Sequence, residues 1–210
     1  MSEPSILCRR CGRSGPNPLE ETMEALTTAV RADKAQYVGN SSYTSGETIR
    51  AADILRDLGV PLLVNQSSLS MIDRWTEQDR LLDALSTAEG DFIASSPLAR
   101  WLLTDRYMHG VPSDYPAATS RFLTPEDVTP ERLRQVAGLQ ELAGARGQST
   151  AQPTLSWTFR SPRVTSALIG VSSVAQLEPN ARAVEQLAFD DDELTAIDSL
   201  LTPQVKGSGA

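Results

Sequence analysis

Two cysteines, Cys8 and Cys11, have the Cys-x-x-Cys spacing of a metal half-site or a redox pair, within the stretch ILCRRCGRSGPNP. A structural zinc needs four ligands, usually as two spaced pairs. Beyond these two thiols the chain has one histidine, His109, far downstream and without a partner nearby. A redox pair would open a helix after a strand, where the helix end lowers the thiol pKa. Here the turn-forming CGRSGPNP follows instead. The sequence therefore assigns no metal ligands and no catalytic residue to this stretch. It reads residues 1–17 as a disordered or unrelated leader.

A second set of chemically capable residues is spread along the chain. Ser41-Ser42, Gln66, Ser95-Ser96 and Gly170-Val171-Ser172 each directly follow, or end, a short β-rich run. Small and polar residues in those places suit ligand binding better than core packing. What must position them is a series of strands and helices. PLEETMEALTTAVRADK carries Leu19, Met23, Leu26 and Val30 on one side, which predicts an amphipathic helix. Pro18 and the acids Glu20 and Glu21 suit its start. SGETIRAADILRDLG reads the same way, with Gly59 as its stop.

Further helices are expected over EQDRLLDALSTAEG, TPERLRQVAGLQELAGARG, TAQPTLSWTFRS, SVAQLEPNARAVEQL and DDDELTAIDSLL. Pro153 sits near the first turn of its helix, where it is tolerable. Four strands are expected, at 36–40, 61–65, 91–95 and 164–169. Strands alternating with helices imply a parallel α/β sheet with right-handed crossovers. In such folds ligands bind at the carboxyl ends of the strands. The stretch 97–129 reads as a long irregular loop and 204–210 as a flexible tail.

The composition suits one sizeable core: 210 residues, 40% hydrophobic and 22% charged. A formal net charge of -8 argues against a nucleic-acid surface. No stretch reaches the roughly 18 apolar residues of a membrane span, and no signal peptide is visible. With two cysteines, a reducing, cytoplasmic setting is expected.

The stretches PLEETMEAL, YVGNSSYT, LLVNQSSLSM, SSPLARWLLTDRY, RVTSALIGVSSVAQLEPN and ELTAID resemble the aldo-keto reductase family. The branch is that of potassium-channel beta subunits and bacterial glyceraldehyde-phosphate-type reductases. The likeness runs from about residue 18 to about 203. It implies a (β/α)8 barrel that binds NADPH and reduces aldehydes and ketones. This chain would supply about the last four β/α units, as a partial barrel behind an irregular leader.

The resemblance also assigns residues. Ser41 and Gln66 match the pair that holds the nicotinamide carboxamide. Ser96, Pro97 and Leu98 match the loop around the pyrophosphate, and Arg106 a basic position near the phosphates. Gly170, Ser172, Gln176 and Asn180 match the adenosine end, where a helix N-terminus offers an anion site for a 2′-phosphate. Against the family pattern, Ser42 replaces an asparagine, Ser95 an aromatic residue that stacks on the nicotinamide, and Trp101 a glycine of the pyrophosphate loop.

The family's catalytic tyrosine, lysine, aspartate and histidine belong to segments that have no counterpart here. SILCRRCGRSG stands where the histidine-bearing strand would be. A shifted reading frame or a gene truncation would leave such a junction; a genuine extension is the alternative. Four strands cannot close a barrel, so unpaired edges are expected to pair with a second copy or a related barrel. The functional readings are then an NADPH-dependent reductase by descent with little or no activity, a non-catalytic NADPH-binding or docking module, and a vestigial fragment.

Overall fold

The computed structural model describes residues 6–9 (backbone only), 18–99, 103 and 129–201. In chain order the elements are β1 (Ile6–Arg9), α1 (Leu19–Arg31), β2 (Tyr37–Ser41), α2 (Ser45–Asp57), β3 (Leu62–Ser68), α3 (Trp75–Gln78), α4 (Leu81–Thr87) and β4 (Asp91–Ser95). They continue with α5 (Pro130–Ala145), α6 (Ala151–Thr158), β5 (Val164–Leu168), α7 (Val174–Ala181), a 3-10 turn at Arg182–Glu185 and α8 (Asp191–Leu201). The chain divides into two compact units, one of residues 1–96 with 161–169 and one of 97–160 with 170–210.

The first unit is built on a five-stranded parallel sheet in the order β1-β2-β3-β4-β5. Strand order that follows chain order, with right-handed crossovers, sends each connecting helix to the same face. Accordingly α1 packs on β2 and beside α2, and α2 packs on β3 and beside α4. This is the repeating β/α arrangement of part of a (β/α)8 barrel. α1 forms on its apolar stripe, with Met23 and Leu26 buried. α2 begins with a reciprocal cap: Thr44 Oγ1 accepts from the Glu47 amide at 3.3 Å, and Glu47 Oε2 accepts from the Thr44 amide at 2.9 Å.

The register divides each strand's side chains into two sets. Asn40, Asn65, Phe92 and Val164 form one row across β2–β5, and all four are buried. The adjacent row, on the opposite face, is Ser41, Gln66 and Ile93; the register with β5 shifts between Phe92 and Ile93, so this row stops at β4. Because side chains alternate along a strand, the first row lies under the helices and the second faces what would be the barrel interior.

In the second unit α5 packs on α8, and α6 packs on α7 and the 3-10 turn, around Val136, Leu139, Leu155, Trp157, Ala183 and Ile197. α5 and α8 meet closely at Gly138, where a Cβ would lie 2.5 Å from Leu200 Cδ2.

Several elements differ from the expectation. Within the leader, Ile6–Arg9 is a parallel strand that pairs with β2 from Ile6↔Tyr37 to Arg9↔Asn40; backbone pairing needs an open edge and a few extended residues, not a family-like sequence. β3 runs on through Ser68 rather than ending at 65, since Ser67 and Ser68 keep their ladder with Ala94 and Ser95. The helix expected at 77–90 is two helices, α3 and α4, broken at Arg80, whose φ is 58°. The helix expected at 173–187 passes into the 3-10 turn at Arg182, shortly after Pro179. The expected loop 97–129 and tail 204–210 lie mostly or wholly outside the described residues.

Candidate functional site

At the carboxyl end of β2, Ser41 is 8% exposed and stands opposite half-buried Gln66 of β3 as its register partner. The two side chains therefore project from the same face. Among the described residues neither the Ser41 hydroxyl nor the Gln66 amide is spent on an internal hydrogen bond. A hydroxyl beside a primary amide offers donors and acceptors together, the complement of a carboxamide. The donor set thus fits the nicotinamide end of the expected cofactor.

Ser42 follows in a left-handed conformation, φ 58°. Its amide donates to Gln66 O at 3.1 Å and to Ser67 Oγ at 3.2 Å. Beneath it lies a buried polar network that the sequence reading did not assign. Ser67 Oγ donates to Asn65 Oδ1 at 2.7 Å; Asn65 Nδ2 donates to Asn40 Oδ1 at 2.6 Å and more weakly to Thr48 Oγ1 at 3.4 Å. Asn40, Asn65, Thr48 and Ser67 are all at most 1% exposed. Asn40 Nδ2 is buried with no partner among the described residues. The available signal was asparagine inside the strand runs YVGNS and LLVNQSS. Polarity at the end of an apolar run marks a strand boundary, and only the register sets the two asparagines side by side.

A step further along β3, Ser68 pairs in register with Ser95 of β4, and Ser95 with Leu168 of β5. Ser95, where the family's stacking aromatic is expected, is half-buried. Ser68 Oγ donates to Asp73 Oδ2 at 2.7 Å and accepts from Trp75 Nε1 at 2.9 Å, which pins the loop after β3. Ser96, the first residue after β4, is exposed with φ 52°.

In the second unit Pro97 and Leu98 are buried, and Leu98 O accepts from the Leu103 amide at 3.2 Å. Pro97 has no N–H to offer a phosphate. Gly170 and Ser172 are exposed ahead of α7. Gln176 Oε1 accepts from both the Ser172 amide, at 3.0 Å, and Ser172 Oγ, at 3.2 Å. Gln176 and Asn180 lie four residues apart on one face of α7, and Asn180 is buried. Ser41 with Gln66, and Ser172 with Gln176, are thus brought together as pairs, each within its own unit. Arg106 and Trp101 lie outside the described residues, as do Cys11 and His109; Cys8 falls in β1.

With parallel β/α units and a carboxamide-complementary pair at the strand ends, the chain defines a class. It belongs to the aldo/keto reductase family, which residues 12–202 match. Among curated proteins it is 43% identical over 185 residues to L-glyceraldehyde 3-phosphate reductase of Escherichia coli (strain K12), covering 86% of this chain and 54% of that protein. It is 28% identical over 204 residues to a probable voltage-gated potassium channel subunit beta of Oryza sativa subsp. japonica, covering 95% and 58%. The fold matches the crystal structure of a thermostable aldo-keto reductase in complex with the inhibitor epalrestat, with a TM-score of 0.68 at 23% identity, over 93% of this chain and 59% of that one. The chain spans little more than half the length of these relatives.

Proposed function

We propose that the chain carries the NADP(H)-holding part of an aldo-keto reductase site and, as it stands, has little or no carbonyl reductase activity. The pairing of Ser41, which ends β2, with Gln66, in the carboxyl-terminal half of β3, carries this reading. Together they would hold the carboxamide and so fix one face of the nicotinamide ring. The bound cofactor would supply the hydride. By family resemblance, Gly170, Ser172, Gln176 and Asn180 would serve the adenosine end, and Ser96, Pro97, Leu98 and Arg106 the phosphates.

The placement of the ionisable groups supports the missing-acid half of the proposal. A tuned tyrosine acid contributes on the order of 10²–10⁴-fold in rate. Tyr37 starts β2, at the strand end opposite to Ser41, and Tyr43 is 3% exposed; Tyr107 and Tyr115 lie outside the described residues. Of the lysines, Lys34 precedes β2 and Lys206 is outside the described residues. β1, which stands where the family's histidine-bearing strand is expected, reads ILCR.

Titration with NADPH, followed by nicotinamide fluorescence, should show saturable binding. The same protein with a panel of small aldehydes should oxidise NADPH no faster than buffer. Robust turnover would overthrow the missing acid; no binding at millimolar NADPH would overthrow the cofactor site.

A second reading is a non-catalytic module that docks on another copy of the chain. Thr165, Ser166 and Leu168 of β5, a lateral strand of the described sheet, are exposed, Leu168 by 55%. Exposed strand edges invite pairing. Light scattering coupled to size exclusion should then give a dimer, and a lone monomer at tens of micromolar would refute it.

A further inference from the structure

We propose that Asn65 and Ser67 are positioning residues, forming a buried hydrogen-bond chain that sets the Ser41-Ser42 turn. The proposal rests on the reading of Ser41 and Gln66 as the nicotinamide-facing pair. Ser42 is held in a left-handed conformation that non-glycine residues seldom adopt. Such a conformation persists where the surroundings over-determine it. Here the surroundings are two acceptors for one amide, Gln66 O and Ser67 Oγ.

The Ser67 hydroxyl can serve as that acceptor because its own proton is directed to Asn65 Oδ1, at 2.7 Å. Asn65 is oriented in turn, since its Nδ2 has acceptors in Asn40 Oδ1 and Thr48 Oγ1. Thr48 belongs to the first turn of α2. The chain thus ties a helix on the outer face of the sheet to the turn that carries Ser41 on the inner face. Each member is buried, so water cannot substitute for a lost link. An apolar core would fill this space without an unpartnered amide at Asn40 Nδ2. The arrangement is therefore better explained by the turn it fixes than by the packing it provides.

The test is Ser67→Ala, with Ser70→Ala as the control. Ser70 is an equally buried serine whose hydroxyl accepts from the Asp73 amide at 3.1 Å, away from Ser42. In S67A the Ser42 amide should exchange with deuterium at least about tenfold faster. NADPH should bind about tenfold more weakly, the loss expected for roughly one hydrogen bond, while adenosine 2′,5′-bisphosphate binds as before. S70A should leave the Ser42 exchange rate and both affinities unchanged even where its melting temperature falls. Unchanged Ser42 exchange in S67A, or equal weakening of both ligands, would overturn the proposal. Failure of the parent chain to bind NADPH would overturn the reading of the site instead, and Ser42 exchange would then decide the positioning claim by itself.

Discussion

Ser41 and Gln66 are register partners on neighbouring parallel strands, so their side chains share one face of the sheet at the end where β/α folds bind ligands. That relationship makes Gln66 testable apart from stability, because its amide holds no other described residue. Gln66→Ala is expected to weaken NADPH binding by about five- to tenfold, the worth of one or two hydrogen bonds. The melting temperature should move by no more than a degree or two. Affinity for adenosine 2′,5′-bisphosphate, measured by calorimetry, should stay constant; a parallel loss would mean that Gln66 supports the whole unit.

The Asn40–Asn65 pair, 2.6 Å apart in the core, gives a prediction about sign. Removing one partner strands the other, so Asn65→Leu should cost about 2–3 kcal/mol in urea unfolding. It leaves both ends of the Asn40 amide unpaired and takes the acceptor from Ser67. Asn40→Leu should cost less, because Asn40 already has a buried Nδ2 without a partner among the described residues. The double variant should be more stable than the sum of the two losses implies, by about 1 kcal/mol or more, since neighbours in one network are not additive. Additive losses would refute coupling through this bond.

The sheet was legible because its strands are short apolar runs between one-sided helices, and four of its five strands follow from that pattern alone. β1 was not, because Ile6 and Leu7 are too short a signal beside CRRCGRSGP. Ser41 and Gln66 were legible as polar residues closing apolar runs. Their neighbours were not: Asn40 and Asn65 look like strand ends until register sets them side by side. The break at Arg80 was equally hidden, since a left-handed residue leaves no mark in the hydrophobic period of DRLLDALS. Periodicity reports which face is buried, whereas register and backbone handedness are set between elements.

Arg146, at the end of α5, organises the second unit. Its side chain is 5% exposed and meets Glu193 Oε1 at 2.6 Å, Gln148 Oε1 at 2.9 Å, and the carbonyls of Gln186 and Ala188 at 3.2 and 3.0 Å. Its guanidinium also lies 4.3 Å from the centre of the Phe189 ring. A buried cation with this many acceptors is costly to delete. Arg146→Met should destabilise by about 3–4 kcal/mol. Glu193→Gln should cost only about 1 kcal/mol, because the two carbonyls remain and the amide oxygen can still accept. Urea midpoints of the two variants would check the order; a larger loss for the glutamine variant would contradict it.

Acid sensitivity should be traceable to Asp83 of α4. Its carboxylate accepts from Arg163, just ahead of β5, and from Arg80 at 3.0 Å. These bonds, Arg163 first, hold its pKa below the ordinary aspartate value. The unfolded chain then binds a proton more readily than the folded one, so this contribution is present above about pH 4 and lost as pH falls through the lowered folded value. Asp83 is half-exposed, so the effect should be small and should shrink in salt. In urea unfolding at low ionic strength, Asp83→Asn should lie below the parent by a constant margin above about pH 5. The margin should narrow steadily towards pH 3, and repeating the series in roughly 0.5 M salt should flatten it. A margin independent of pH would mean that the aspartate contributes by its shape and neutral hydrogen bonds rather than by its charge.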